Sequence, residues 1–428
     1  MQGIIHESLH DTEYHALLAG VMLATDDDRE GVLMLADWLD EHDDARADAI
    51  RLSCQADADS PAIARKLRDW LRHHQQSFQP FSFMIVPLEF DTGKLQLRST
   101  AADLEDWLEQ VCIPILPIEW TLTSWANPDE LRRVLLGAAM RPDIHVGISL
   151  FQNQDNAISQ LCKLQSPIRR MQMRMLNLSV ESHTQLMQAL PTIQSLNYAW
   201  MADFENTYID AMIALPHLHQ LEIIGCANLT DSGFAQLGTL KSLRSLRLVS
   251  CHGLTDHGVV GILELPNLRQ LELSDVRNLT AKGLLNLPQL TTLESLQIGW
   301  ATDGGEHLLR QISQMRHLNS LGLHHWAGPL PTWFFAELAT WPNLSSLDLY
   351  GCPQLTDAAL APMAKSTSLQ SLDLSRCRTL SDDTLRNLES VTTLEWLDTE
   401  RCSRMSTRGR DRLRRVLPGI HVLTARRR

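Results

Sequence analysis

From residue 218 onward the apolar positions follow one phrase: a Leu, two variable residues, a Leu, one variable residue, then an apolar residue again. Leu218, Leu243, Leu268, Leu293, Leu318, Leu344, Leu369 and Leu394 open it, 25 residues apart except for one interval of 26. Alternation within the phrase predicts a short strand in which Leu218, Leu221 and Ile223 point one way and Gln220, Glu222 and Ile224 the other. One such strand cannot bury its apolar face. A stack of them can, and each fully buried Leu contributes about 1.5–3 kcal/mol.

The second half of the unit repeats as well. Asn228-Leu229-Thr230-Asp231 returns as Leu254-Thr255-Asp256, Leu279-Thr280, Leu355-Thr356-Asp357 and Leu380-Ser381-Asp382. A Thr or Ser there reads as a helix N-cap and the Asp as a first-turn acid suited to the helix dipole. The helix would then turn Phe234, Leu237 and Leu240 inward. Before Leu218 the pattern blurs, but counting back by 25 reaches Ile193 and Ile168, then Ile144 and Ile118 with slips of one, with a helix start at Asn127-Pro128-Asp129-Glu130. About twelve units result, closing at Ile420-His421-Val422-Leu423.

These residues resemble the cysteine-containing leucine-rich repeats, whose pattern is close to L-x-x-L-x-L-x-x-C-x-x-L-T-D-x-G-L. The resemblance implies an α/β solenoid, a horseshoe of strand–helix units with a small helical capping domain at its N-terminal end. Cys226, Cys251, Cys352, Cys377 and Cys402 fall at the family's Cys position, and Val276, Ala301 and Trp326 replace it in the middle units. Five of the eight cysteines at one repeat position, with no C-x-x-C pair, predict a buried ladder of thiols and not a disulfide or zinc framework.

The N-terminal part reads differently. Helical spacing before Ala24, a stop at Thr25-Asp26-Asp27-Asp28, and apolar faces over Val32–Leu39, Ala45–Cys54 and from Ser60-Pro61 predict a helical module. Within it Ala36-Asp37-Trp38-Leu39, Arg46-Ala47 and Ile50-Arg51-Leu52 resemble the repeat-companion domain that precedes leucine-rich repeats in planctomycete bacteria, with His42-Asp43 and Ala49 as departures. That resemblance covers about residues 15–111 and implies architecture alone, since no activity comes with it. Alternation on both sides of Asp91-Thr92-Gly93-Lys94 predicts a hairpin, and Thr100 a helix cap over 101–111. The expected domains are therefore 1–111, a capping module, and 112–428, the solenoid.

Composition narrows the class. No apolar run approaches the roughly 18 residues that span a bilayer, and Met1–His10 lacks the basic, greasy start of a leader, so a cytoplasmic protein without a membrane partner is expected. Residues 1–111 hold 22 acidic against 9 basic side chains, an excess that matches the net charge of −13 for the whole chain and leaves the repeats neutral in sum. Residues 401–428 carry ten Arg and one acid, Asp411, but no interleaved aromatics, so nucleic acid is not the expected partner.

Chemistry is sparse. His73-His74 and His324-His325 are adjacent pairs, which in a strand face opposite sides and cannot share a metal, and no nucleophile elbow, zinc-helix motif or phosphate loop is present. No cofactor is expected. The outward strand positions form a column of Glu222, Arg247, Glu272, Gln297, Gly322, Asp348, Asp373 and Asp398, flanked by Ile224, Val249, Ser274, Gly299, His324, Tyr350, Ser375 and Glu400. Four of the eleven Trp, at 300, 326, 333 and 341, gather in irregular middle units, which leaves two readings, a contact or a widened core. The expected function is a non-enzymatic scaffold holding a protein partner with basic surface on the concave strand face, through Trp300, His324, Asp348, Tyr350, Asp373, Trp396 and Asp398. Two other classes stand beside it. One is a substrate-recognition adaptor like the F-box receptors of ubiquitin ligases, whose helical module would lie in 25–76; the other is a thiol enzyme using Cys54 or Cys112.

Overall fold

The computed structural model describes residues 36–37, 89–91, 94–100, 118–124, 128–139, 144–151, 155–164, 168–299 and 305–424. Most of the helical module expected over 1–111, and with it the repeat-companion resemblance, lies outside the described residues, as do Ala301 and Thr302-Asp303. The chain forms two compact units, one of 1–176 with 188–194 and one of 177–187 with 195–428, so the boundary expected at 111/112 falls inside the first.

The first unit opens with the hairpin that the turn at 91–94 predicts: β1 (Glu89–Asp91) pairs antiparallel with β2 (Lys94–Thr100), Asp91 opposite Lys94. From β2 the pairing turns parallel, through β3 (Ile118–Ser124), β4 (Ile144–Phe151) and β5 (Arg170–Arg174). Between them lie α1 (Pro128–Ala139), which starts at the expected Pro, and α2 (Asp155–Leu164). Leu122, Leu131, Ile148, Leu150 and Leu161 are fully buried, so the blurred units fold like the sharp ones.

The second unit is an α/β repeat solenoid. It begins with most of α3 (Val180–Ala189) and continues β6 (Ser195–Ala199), α4 (Asn206–Met212), β7 (Gln220–Ile224), α5 (Asp231–Gln236), β8 (Ser245–Val249), α6 (Val259–Leu263), β9 (Gln270–Ser274) and β10 (Ser295–Gly299). It closes with α7 (Glu306–Ile312), β11 (Ser320–His324), α8 (Thr332–Leu338), β12 (Ser346–Asp348), α9 (Asp357–Leu360), β13 (Ser371–Asp373), α10 (Asp382–Leu388), β14 (Trp396–Asp398), α11 (Thr407–Val416) and β15 (His421–Leu423). Every neighbouring pair from β6 to β15 is parallel and keeps the sequence register, Leu221 beside Leu246, Leu271, Leu296 and Leu321 in turn. These side chains are at most 1% exposed.

Three further ladders run with the leucines. The expected thiols are buried, Cys226, Cys251, Cys352 and Cys377 completely, and most turn Sγ toward a strand carbonyl one repeat back, as Cys377 does to Leu349 O at 3.1 Å and Cys402 to Leu374 O at 2.9 Å. Trp326 fills the same position without exposure, and Trp341 is 1% exposed, so two of the clustered tryptophans are core. Trp333 is half-buried with the Arg310 guanidinium 5.0 Å from its ring.

The third and fourth ladders are polar and backbone. Strands β5–β9 and β11–β14 are each followed by a residue of left-handed φ, at 175, 200, 225, 250, 275, 325, 351, 376 and 401, with Gly only at 225 and 351. There the chain donates one last N–H to the next strand, as from Trp200 to Ile224 O at 2.7 Å, before it turns toward the helix layer. The Thr-Asp cadence departs from its local reading. Thr356, Ser381 and Ser406 do cap α9, α10 and α11, but Thr230 makes no capping bond, α6 is preceded by Gly258 and not Thr255, and Thr280 leads into turns and a single 3₁₀ turn at Leu287–Gln289. Whether or not a cap forms, the Asp of one repeat binds the Thr or Ser of the next. Asp231 accepts from Thr255 N at 2.8 Å and Thr255 Oγ1 at 2.6 Å, Asp256 does the same to Thr280, and Asp382 to Ser406. Asp357 takes four, from the N–H and hydroxyl of both Ser381 and Thr384.

Burial pushes the carboxyls of Asp231, Asp357 and Asp382 up, but the hydrogen bonds from the next repeat outweigh it and hold all three below the usual range. Their contribution is complete above about pH 4 and fades as pH falls through the depressed values. Asp357→Ala, which strands two backbone N–H groups, should lower stability at pH 7 by about 2–4 kcal/mol in urea unfolding. Asp383→Ala, one residue beyond the ladder's next member and exposed, should leave the midpoint unchanged. Equal effects of the two would contradict the inter-repeat role.

Candidate functional site on the helix-free sheet face

Because strand side chains alternate, each strand leaves one set of positions that the core does not use. Register places Glu222, Arg247, Glu272, Gln297, Gly322, Asp348, Asp373 and Asp398 side by side on that face, one per strand from β7 to β14. Its chemistry changes partway along. In the early part the charges close on themselves: Asn197 donates to Glu222, Arg247 bridges Glu222 at 2.5 Å and Glu272 at 2.6 Å, and Ser274 Oγ donates to Glu272 at 3.1 Å.

At β10 and β11 the alternation stops. Gln297 is 8% exposed and folds over Gly322, where a Cβ would lie 1.5 Å from its Oε1. The same oxygen lies 2.6 Å from His324 Nε2, which stands 3.5 Å from Asp348 Oδ2. Beyond it come three acids in a row, with no basic residue at the aligned positions between them. Each is held by its own strand end: Oδ1 of Asp348 accepts from Tyr350 N at 2.8 Å, that of Asp373 from Ser375 N at 2.7 Å and Ser375 Oγ at 2.6 Å, and that of Asp398 from Glu400 N at 2.7 Å. With adjacent strands about 4.8 Å apart, three carboxylates share some 10 Å of surface.

Burial and then the charge of Asp348 push the Asp373 carboxyl up to about 6, against the opposing pull of Ser375 and His324. Tyr350 sits at the edge of this column, half-buried, with the His325 ring edge-on at 4.8 Å and the Arg376 guanidinium 5.1 Å from its centroid. Burial, with His324 and Arg376, lowers the His325 imidazole.

The structure thus brings His324, Asp348, Tyr350, Asp373 and Asp398 together. Trp396 is a correction: it lies on the same strand face, beside Ser371 and His421 in register, but is 4% exposed, so it is packed away and offers no open aromatic surface. Trp300 lies outside the described residues. Sequence reading also passed over Trp200, 49% exposed, whose indole lies against the bare backbone of Gly225. Its signal was alignment with Gly225 and Gly351, a position where a large side chain cannot turn into the core. Among the described arginines of the C-terminal end, Arg410 is engaged on Thr399 and Cys402 O, Arg412 on Glu389 and Arg414 on Asp411 and Val422 O. Among the described residues no cluster of three or more His, Cys, Asp or Glu could hold a metal, and no helix is long and apolar enough to cross a membrane.

The family model described as "Leucine Rich repeat" matches residues 365–388, the length of one repeat around β13. A chain in the crystal structure of the Rad7 and Elc1 complex in yeast is similar at 16% identity, covering 69% of this chain and 88% of its own, with a TM-score of 0.41. No curated protein matches.

An acid whose carboxyl titrates above its unfolded value costs stability when ionised, and the cost disappears once both states are protonated. Asp373→Asn should therefore stabilise the protein by about 1–2 kcal/mol above pH 7, and the gain should fall to zero below about pH 4. Urea midpoints at the two extremes measure it. A destabilised variant at pH 7.5 would contradict the crowding of this column.

Proposed function

We propose that this chain is a non-enzymatic scaffold that captures a protein partner with basic surface on the helix-free face of β11–β14, through His324, Asp348, Tyr350, Asp373 and Asp398. The observation that carries the reading is the crowding of like charge around Asp373. The fold places an Arg between Glu222 and Glu272, so it can neutralise this column, yet three repeats later it aligns three acids and keeps one of them at a cost. A protein maintains such a cost where binding repays it. Tyr350 supplies what charge alone lacks, a rigid aromatic of the type that anchors interfaces.

Tyr350→Ala combined with Asp373→Ala should weaken capture of the partner from a lysate of the native organism at least about thirtyfold while leaving the fold intact by circular dichroism. Capture by the unaltered chain should fall steeply between low and physiological salt. Arg386→Ala and Asn387→Ala, on α10, serve as controls on the helix layer. Loss of capture in these two, with normal capture by the double variant, would sink the reading.

A further inference from the structure

Within the second unit, 177–187 covers a cluster of aromatic side chains contributed by β6, α4 and the turn between them. Tyr198, Phe204 and Tyr208 have no exposed surface, and their ring centroids are 4.7–4.9 Å apart in sequence. The covering segment buries Leu178, Leu186 and Met187 and meets the cluster through polar contacts of Leu178 O and His183. Ser179 Oγ accepts from Ser182 N at 3.1 Å to start α3, Tyr208 donates its hydroxyl to Leu178 O, and His183 meets the Tyr198 hydroxyl at 2.7 Å.

His183 is the odd member. Its ring is wholly buried, 4.3 Å from that of Tyr208 and 5.7 Å from that of Tyr198. The Tyr198 hydroxyl lies between His183 Nε2 at 2.7 Å and Met187 Sδ at 3.9 Å, and the imidazole tautomer decides which partner of the His–Tyr bond donates. Nδ1 has no hydrogen-bond partner in either tautomer. The titratable groups around it are phenols and a thiol: Tyr198 from β6, Tyr208 from α4, and Cys226 of the next repeat beside both. The nearest acids act on Tyr208, Asp203 and Glu205 from the turn before α4, while Glu181 on α3 itself is exposed and accepts from Gln185. None offers a carboxylate to an imidazolium, and burial lowers the His183 imidazole to about 3.

We propose that 177–187 is an acid-released latch: a proton from solvent taken up by the His183 imidazole leaves a buried N–H at Nδ1 with no acceptor against the aromatic cluster, so the segment lifts and uncovers Tyr198, Phe204 and Tyr208. The released His183 is hydrated and charged. Closing requires it to give the proton back. The exposed cluster is a large apolar surface that neutral pH keeps covered, which makes its availability a function of acidity and not of the sheet-face column.

The test is hydrogen exchange by mass spectrometry on the full chain from pH 7.5 to 4.5, with rates corrected for the intrinsic chemistry of exchange. A histidine neutral in the closed state and titrating near 6.5 in the open one raises the opening constant of 177–187 about tenfold at pH 5.5 and about a hundredfold at pH 4.5. Peptides over 371–398, where Asp373 acts in the opposite sense, should not follow. In His183→Phe and His183→Gln the dependence on pH at 177–187 should vanish. Should either variant fail to fold, ¹⁵N shifts of the imidazole in the unaltered chain decide: His183 is expected to stay neutral to below pH 5 in the closed form. Unchanged protection of 177–187 across this range, variants that keep the original trend, or an imidazole titrating near pH 6.5 in the closed form would each overturn the latch.

Discussion

No repeat of this chain can bury its own leucines. Leu221 is covered only because Leu246 lies beside it, one strand and 25 residues away, and the same holds along the row to Leu397. Parallel pairing in constant register is therefore the condition on which everything else rests: a slip of one residue in any strand would turn its leucines to water and its polar residues inward. The constraint also explains why the other ladders share the period. A thiol, an Asp or a left-handed residue that works once between two repeats works again at the same offset, and Asp231, Asp256, Asp357 and Asp382 reach across the same gap of 24 residues.

The repeat that carries β14 breaks the phrase. Thr399 stands where the inward Leu or Ile is due, fully buried, donating to Leu423 O at 2.8 Å and accepting from Arg410 at 2.8 Å. Arg410 and Arg414 from α11 then supply donors to the carbonyls of Thr399, Cys402 and Val422. The sheet face left over is relieved of such duties, which is why its early part could settle into paired charges and its later part could not be explained by folding.

Much of this was legible in the sequence because period is a property of the chain. The strands, their register, the thiol row and the column from Glu222 to Asp398 all follow from counting by 25. What failed were readings that took a residue with its sequence neighbours alone. Thr230-Asp231 and Thr255-Asp256 look like caps within a helix, whereas their strongest bonds run to the adjacent repeat. Trp396 shows the limit of alternation, which tells the face a side chain leaves from but not what covers it. The closed pairing around Arg247 was visible as letters, yet only distances show that it neutralises the column there and not at Asp373. His183 carried no pattern at all, since nothing repeats it.

Whether the open face of β11–β14 receives the partner can be measured on the carboxylates themselves. Carbodiimide labelling of the full chain, read by mass spectrometry with and without the captured partner from the native organism, should show Asp348, Asp373 and Asp398 labelled in the free protein and protected in the complex. Asp357 and Asp382, held by the next repeat, should change in neither state. Protection confined to Asp383 and Glu389 on the helix side, with the three column acids labelled equally in both states, would contradict it.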